Sequence, residues 1–287
     1  MKSDELVMRR EAVEGLPPLR DVIAEYQLSA QKSLGQNFLL DMNITDKIVR
    51  EACARDGNNW GGVHAFEIGP GPGGLTRSLL KSNVKKVTAI EFDKRAVDAL
   101  SSLQNAAGCD LEIQNNDALK SDLSVLGDAP RVIVANLPYN IATPLLINWL
   151  KQIRDDQNIY QSMSLMFQKE VADRILAKPN TKAYGRLSVI TQWLCDVTLL
   201  YDLPPSAFIP PPKVNSAVVH FAPKKLDDKA PIFKTVEQVT AAAFNQKRKM
   251  VRSSLKNHID ALNALGIDPT KRAENLSVED YLNIASF

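Results

Sequence analysis

Four consecutive residues, Asn136-Leu137-Pro138-Tyr139, offer a compact set of groups able to hold a planar amine. They end an apolar run, Arg131-Val132-Ile133-Val134-Ala135, which reads as a buried strand. The asparagine side-chain carbonyl accepts a hydrogen bond from an exocyclic amine. Pro138 fixes the local backbone torsion. Tyr139 presents a flat face on which a base can lie. Together they suit an amine-bearing ring such as adenine, held edge-on to an electrophile. The same four residues also fit ordinary turn chemistry, so their weight depends on the rest of the chain.

A second motif, Glu67-Ile68-Gly69-Pro70-Gly71-Pro72-Gly73-Gly74, follows the apolar stretch Val63-His64-Ala65-Phe66 and opens a helical pattern at Leu75. Strand, glycine turn and helix form the first unit of a doubly wound sheet, whose ligands bind outside the strand carboxyl ends. Gly69, Gly71 and Gly74 match the Gly-x-Gly-x-x-Gly spacing of a dinucleotide site. Glu67 and the two prolines fit a pyrophosphate cradle less well. They resemble the Glu-x-Gly-x-Gly turn of S-adenosylmethionine-dependent methyltransferases. Glu91 ends the next strand, Lys86 to Ile90, where an acid accepts hydrogen bonds from ribose hydroxyls. NAD enzymes place an acid there too. Asp117 follows the third strand, Leu111 to Gln114, and reads either as an acceptor for an adenine amine or as a helix cap.

These motifs need a scaffold, and the chain supplies one. Strand and helix patterns alternate from residue 63 to about 177, which predicts a parallel sheet with covering helices. The strands fall near 63–68, 86–91, 111–114, 131–135 and 160–167, and the helices near 73–82, 93–106, 143–154 and 168–177. Leu187 to Leu194 fits helix or strand. Val197 to Leu203 and Val214 to Phe221 read as two further strands on the sheet edge. The prolines between them make Pro204 to Pro212 a rigid loop, too stiff for a regular element, that presents Phe208. Leu19 to Tyr26 reads as a short helix, and Asp41 caps another that runs to about Asp56. A charged connector near residues 222–230 precedes a helical end.

With 287 residues, 45% of them hydrophobic, the chain fits one large domain and a smaller one. No apolar run reaches membrane-spanning length. The first thirty residues lack an apolar signal core, and a cytoplasmic location is the expectation. Cys53, Cys109 and Cys195 are far apart, so neither a disulfide framework nor a zinc site is predicted. His64 and His220 lie in strands and read as structural. No metal is expected. Net charge is only +2, but residues 244–258 hold Lys247, Arg248, Lys249, Arg252 and Lys256 and no acid. Helical spacing puts Lys249, Arg252 and Lys256 on one face, with Phe244, Met250, Val251 and Leu255 adding apolar contact. Such a stripe neutralises phosphates, or is simply a solvated face.

Eight segments in order resemble the rRNA adenine N6-dimethyltransferase family, and within it the bacterial small-subunit type. They are GQNFL at 35–39, EIGPGPGGLT at 67–76, IEFD at 90–93, NDA at 116–118, NLPYN at 136–140, FQKEVADR at 167–174, FIPPPKVNSAV at 208–218 and AFNQKRKMVRSSL at 243–255. The resemblance implies a Rossmann-like α/β methyltransferase domain over residues 31–224, with a seven-strand, mostly parallel sheet. An amino-terminal extension at 1–30 precedes it, and a small all-helical RNA-binding domain follows at 225–287. It implies S-adenosylmethionine as methyl donor to N6 of two adjacent adenines in the 3'-terminal hairpin loop of 16S rRNA, within the immature 30S subunit. Each adenine would receive two methyls. Position by position, it implies that Asn37, Leu39, Gly69, Gly71, Glu91, Asp117 and Asn136 bind the cofactor. Asn136, Leu137, Pro138, Tyr139 and Phe208 would hold the target base, and Lys247, Arg248, Lys249 and Arg252 the RNA. A monomer is expected. The competing readings are the 23S rRNA methyltransferase of the macrolide-resistance type and an assembly factor that acts mainly by binding. FIPPPKVNSAV and FNQKRK favour the small-subunit type.

Overall fold

The computed structural model describes residues 3–28, 36–246 and 248–287. Lys247 and the first residue of the GQNFL segment lie outside them. The chain opens with helices α1 (Ser3–Glu14) and α2 (Leu19–Glu25), then strand β1 (Phe38–Leu39) and helix α3 (Met42–Arg55). Asp41 caps α3 as expected, accepting a hydrogen bond from the Asn43 amide at 2.9 Å. The alternating core follows: β2 (His64–Ile68), α4 (Gly74–Lys81), β3 (Lys86–Glu91), α5 (Lys94–Ala99), α6 (Ser101–Ala107), β4 (Leu111–Asn115), α7 (Leu123–Leu126), β5 (Arg131–Ala135), α8 (Tyr139–Asp155), β6 (Ser162–Gln168), α9 (Lys169–Leu176) and α10 (Arg186–Leu194). The ambiguous stretch at 187–194 is therefore helix. Next come β7 (Cys195–Leu203), β8 (Phe208–Ile209) and β9 (Ser216–Pro223), and then α11 (Phe233–Asn245), α12 (Val251–Ser254), α13 (Ile259–Ala264) and α14 (Val278–Ser286).

Seven strands form one sheet in the order β4-β3-β2-β5-β6-β9-β7. The first five run parallel, while β9 lies antiparallel to both β6 and β7. Strand order reverses between β2 and β5. A crevice opens outside the carboxyl ends of two such strands, and ligands bind there. The glycine turn leaves β2 and the Asn136–Tyr139 segment leaves β5, so the two motifs face each other across that point. Apolar clusters cover both sides of the sheet. One is built on Phe66, Ile133, Leu146, Leu165 and Phe221, the other on Trp60, Ala65, Leu79, Val87 and Val134.

Three expectations need correcting. Helix α8 starts at Tyr139 rather than 143, because Pro144 costs a single ladder bond near the helix start. The proline-rich loop contains a strand after all. Phe208 and Ile209 pair antiparallel with Leu39 and Phe38 to form a separate two-stranded ribbon. The basic stretch 244–258 is not one helix. It breaks after Asn245, and Met250 bridges to Arg272 while the Val251 amide donates to the Lys271 carbonyl at 2.7 Å. Val251 and Leu255 are then buried in the helical lobe, and Phe244 packs edge-on against Tyr184, so these residues hold the lobe together.

That lobe's core also takes in Ala177, Tyr184 and Val189 from before residue 224. The amino-terminal helices are fastened to the sheet domain. Arg9 donates to the Ser82 and Val84 carbonyls and to Asp110, Arg10 donates to the Lys81 carbonyl, and Arg77 donates to the Pro17 carbonyl. Among the described residues no helix is long and apolar enough to cross a membrane.

Candidate active site

The glycine turn makes the floor of the site. Gly69 and Gly71 both have positive φ, at +67° and +54°, which glycine adopts without strain. Pro70 and Pro72 fix the residues between. A Cβ on Gly71 would sit 2.8 Å from the Phe38 ring, and one on Gly74 would sit 2.6 Å from the Leu39 carbonyl oxygen. The turn is therefore closed down onto β1, which forms the opposite wall. Glu91 is fastened to the turn: its Oε2 accepts from the Gly71 amide at 3.2 Å and its Oε1 from the Asp93 amide at 2.8 Å. Burial raises the Glu91 pKa, and hydrogen bonds from those backbone amides oppose the rise.

Glu67 is deeper. It is fully buried, its Oε2 has no hydrogen-bond partner among the described residues, and it lines the same cavity. Burial pushes its pKa up to about 8, opposed by the Thr76 hydroxyl beside it and reinforced by the charge of Glu91. The folded chain then holds one more proton than the unfolded chain between pH 4.5 and about 8. This contribution to stability is full below pH 4.5 and is lost as pH rises through about 8. Glu67→Gln is accordingly expected to gain melting temperature relative to the parent, without added cofactor, as pH rises from roughly 5 to 8.5. A difference that stays constant over that range would contradict a protonated Glu67.

The shelf completes the cavity. Asn136 Nδ2 donates to the Asn37 carbonyl at 2.9 Å. That contact assigns the amide orientation, nitrogen toward Asn37, and leaves the side-chain oxygen as an acceptor. Leu137 is buried, Pro138 packs near Gly69, and Tyr139 is half-buried with its hydroxyl 2.6 Å from Ser216 Oγ. Burial raises the Tyr139 phenol pKa, so the hydroxyl stays neutral at ordinary pH.

A cavity of about 240 Å³ lies between these parts. Every expected cofactor residue lines it: Asn37, Leu39, Gly69, Gly71, Glu91, Asp117 and Asn136. So do Leu137, Pro138 and Tyr139. Asp117 also acts as a cap, accepting from the Leu119 amide at 3.0 Å. Phe208 does not line the cavity. It is 1% exposed and packed in the cluster with Leu39, Met166 and Val218, because its strand pairs inward with β1. Arg248, Lys249 and Arg252 are exposed on the helical lobe and do not line the cavity either. Sequence reasoning passed over Phe92 and Leu119, two exposed apolar side chains on the cavity wall. The signal for Phe92 was an aromatic directly after a strand-end acid. Lys271 and Arg272 were also missed; the bridge at Met250 adds them to the basic surface.

His64 and His220 are buried and structural. His64 Nε2 lies 2.8 Å from Thr88 Oγ1, and His220 Nδ1 lies 2.9 Å from Ser164 Oγ. Among the described residues no group of three or more His, Cys, Asp or Glu is placed to hold a metal ion.

Comparison with known proteins agrees with this geometry. The family model for ribosomal RNA adenine dimethylase matches residues 27–287. A ribosomal RNA small subunit methyltransferase A from Rhodospirillum rubrum is 50% identical over 275 residues, covering 95% of this chain and 92% of that protein. Among solved structures, a dimethyladenosine transferase from Plasmodium falciparum superposes with a TM-score of 0.71 at 28% identity, over 84% of this chain and 94% of that one. The 23S rRNA methyltransferase ErmE superposes at 0.64 with 23% identity, over 87% of this chain and 98% of that one, and so shares the fold. The chain belongs to the ribosomal RNA adenine dimethylase family, and its fold is that of the Rossmann-like methyltransferases.

Proposed function

We propose that the chain transfers methyl groups from S-adenosylmethionine to N6 of two adjacent adenines in the 3'-terminal hairpin loop of 16S rRNA, dimethylating each within the immature 30S subunit. The observation that carries this reading is the pairing of Asn136 with Asn37, which holds the Asn136 amide at the wall of the cavity shared with Glu91 and leaves its oxygen to accept. The residues fit the cofactor on three counts. The glycine turn admits no side chain at Gly71. Glu91 is held by backbone amides with lone pairs left for ribose hydroxyls. Phe92 and Leu119 offer apolar faces to a purine, beside the acceptor Asp117. Asn37 and Leu39 close the site from β1.

The cofactor supplies a sulfonium methyl, a strong electrophile that needs no activation by the protein. The chain's task is orientation and restoring an amine lone pair that is delocalised into the ring. Asn136 Oδ1 and the Leu137 carbonyl accept the two amine hydrogens, which favours a pyramidal nitrogen. Tyr139 stacks on the base, a contact worth about 1–3 kcal/mol. Phe208, packed beneath β1, supports the wall, and meeting the base's other face would require its ring to leave the apolar cluster. No strong base is required, because the nitrogen becomes cationic on methyl transfer and then releases its proton to water. This chemistry belongs to ribosome maturation in the cytoplasm, by a monomer.

Arg248, Lys249 and Arg252, with Lys247, bind RNA phosphates in this reading. Neutralising all four is expected to weaken subunit binding and to lower the slope of log affinity against log salt by up to about 0.7–0.9 for each lost phosphate contact. An unchanged slope would make the cluster a solvated face. Calorimetry tests the cofactor assignment: S-adenosylmethionine binds and NAD does not, and binding of NAD alone would overturn it.

The 23S alternative loses ground on the small-subunit relatives, which cover nearly the whole chain at about half identity.

A further inference from the structure

A pair of hydroxyls joins the shelf to a part of the chain far away in sequence. Tyr139 Oη and Ser216 Oγ are 2.6 Å apart. Ser216 is 0% exposed and opens β9, where it pairs with Gln168 of β6 on one side and Leu203 of β7 on the other. Two neighbouring strands therefore fix its backbone. Tyr139 is less constrained. It is the first residue of α8 and half-buried, and its ring plane depends on two side-chain torsions. The phenolic oxygen lies on the axis of the second torsion, so a hydrogen bond there fixes the first torsion and with it where the ring sits.

The same proline-rich segment reaches the shelf at a second point. Phe208 and Ile209 pair with Leu39 and Phe38, and the preceding Asn37 carbonyl takes the Asn136 amide. Residues 208–216 thus grip the shelf at both ends, through β1 to Asn136 and through Ser216 to Tyr139.

We propose that Ser216 is a positioning residue, whose hydroxyl holds the Tyr139 ring in the place where the target base stacks. It acts through Tyr139 and touches neither base nor cofactor. The proposal rests on the reading of Tyr139 as the stacking face. Small misalignments of reacting groups are costly, about 10²-fold for 1 Å, so losing one tether has a visible kinetic effect.

The test compares Ser216→Ala, Tyr139→Phe and the double variant in methylation of undermethylated small subunits, with a melting curve for each. Ser216→Ala and Tyr139→Phe are each expected to lower kcat roughly 10-fold, the worth of one hydrogen bond, with KM for the subunit nearly unchanged. The double variant is expected to be no slower than either single one, because both remove the same contact. A double variant whose losses multiply would overturn the proposal, as would a Tyr139→Phe enzyme at the parental rate. That second arm stands even if Ser216→Ala fails to fold. A parent that methylates no subunit would refute the proposed function itself, while an active parent with multiplying losses would refute Ser216 alone.

Discussion

Asn136→Ala is expected to lower methyl transfer by about 10²–10³-fold, the scale set by removing one pre-aimed hydrogen-bonding group from a reacting centre. The fold should survive. Among the described residues the side chain donates one hydrogen bond, to the Asn37 carbonyl, and losing it costs about 1 kcal/mol. The loss should fall on kcat rather than on cofactor affinity, because in the proposed mechanism the side-chain oxygen accepts from the target amine. Asn136→Asp sharpens the point. It keeps an acceptor but sets a carboxylate against the Asn37 carbonyl, so its amine acceptor is free to turn away. An intermediate rate is expected. Near-normal turnover by Asn136→Ala would remove the residue from the mechanism.

Gly71→Ala should act on the other half of the site. Its φ of +54° disfavours a side chain by about 1–2 kcal/mol. The new Cβ would also meet the Phe38 ring at 2.8 Å, and overpacking of that kind costs about 1–3 kcal/mol. Relief requires the turn or β1 to move. Moving the turn disturbs the Gly71 amide that holds Glu91 Oε2, and moving β1 disturbs Asn37 and Asn136. Affinity for S-adenosylmethionine should therefore fall by at least about tenfold, since each 1.4 kcal/mol is a factor of ten. Subunit binding, assigned to the helical lobe, should not change. Calorimetry with the cofactor and filter binding with subunits separate the two. Parental cofactor affinity in Gly71→Ala would contradict the turn as its cradle.

The parallel half of the fold was legible because its strands are buried on both faces and announce themselves as apolar runs. Val132 to Ala135 and Val87 to Ile90 are examples. The glycine turn and the strand-end acid were legible for the same reason: each follows directly on such a strand. The two-residue pairing of Phe38–Leu39 with Phe208–Ile209 was not. No period marks strands that short, and the prolines around Phe208 argued for loop. The burial of Phe208 follows from that pairing and was hidden with it. In the basic segment, spacing suggested one continuous helix. The break at Met250 is made by a partner at Arg272, a long-range contact that local spacing does not record. Ser216 was visible only as a letter in a motif, since its link to Tyr139 spans 77 residues. Helix α1 was missed because its sequence has no marked apolar face; Val13 alone joins the core, and guanidinium contacts from Arg9 and Arg10 to carbonyls help fasten it.

One measurement bears most directly on the proposed function. Undermethylated small subunits, large subunits and duplex DNA are each incubated with the protein and methyl-labelled S-adenosylmethionine, and the nucleosides are then separated. Label recovered as N6,N6-dimethyladenine from small-subunit RNA alone, at two nucleosides per subunit, is the expected result. Label in large-subunit RNA, or tight binding to small subunits with no label transferred, would contradict it.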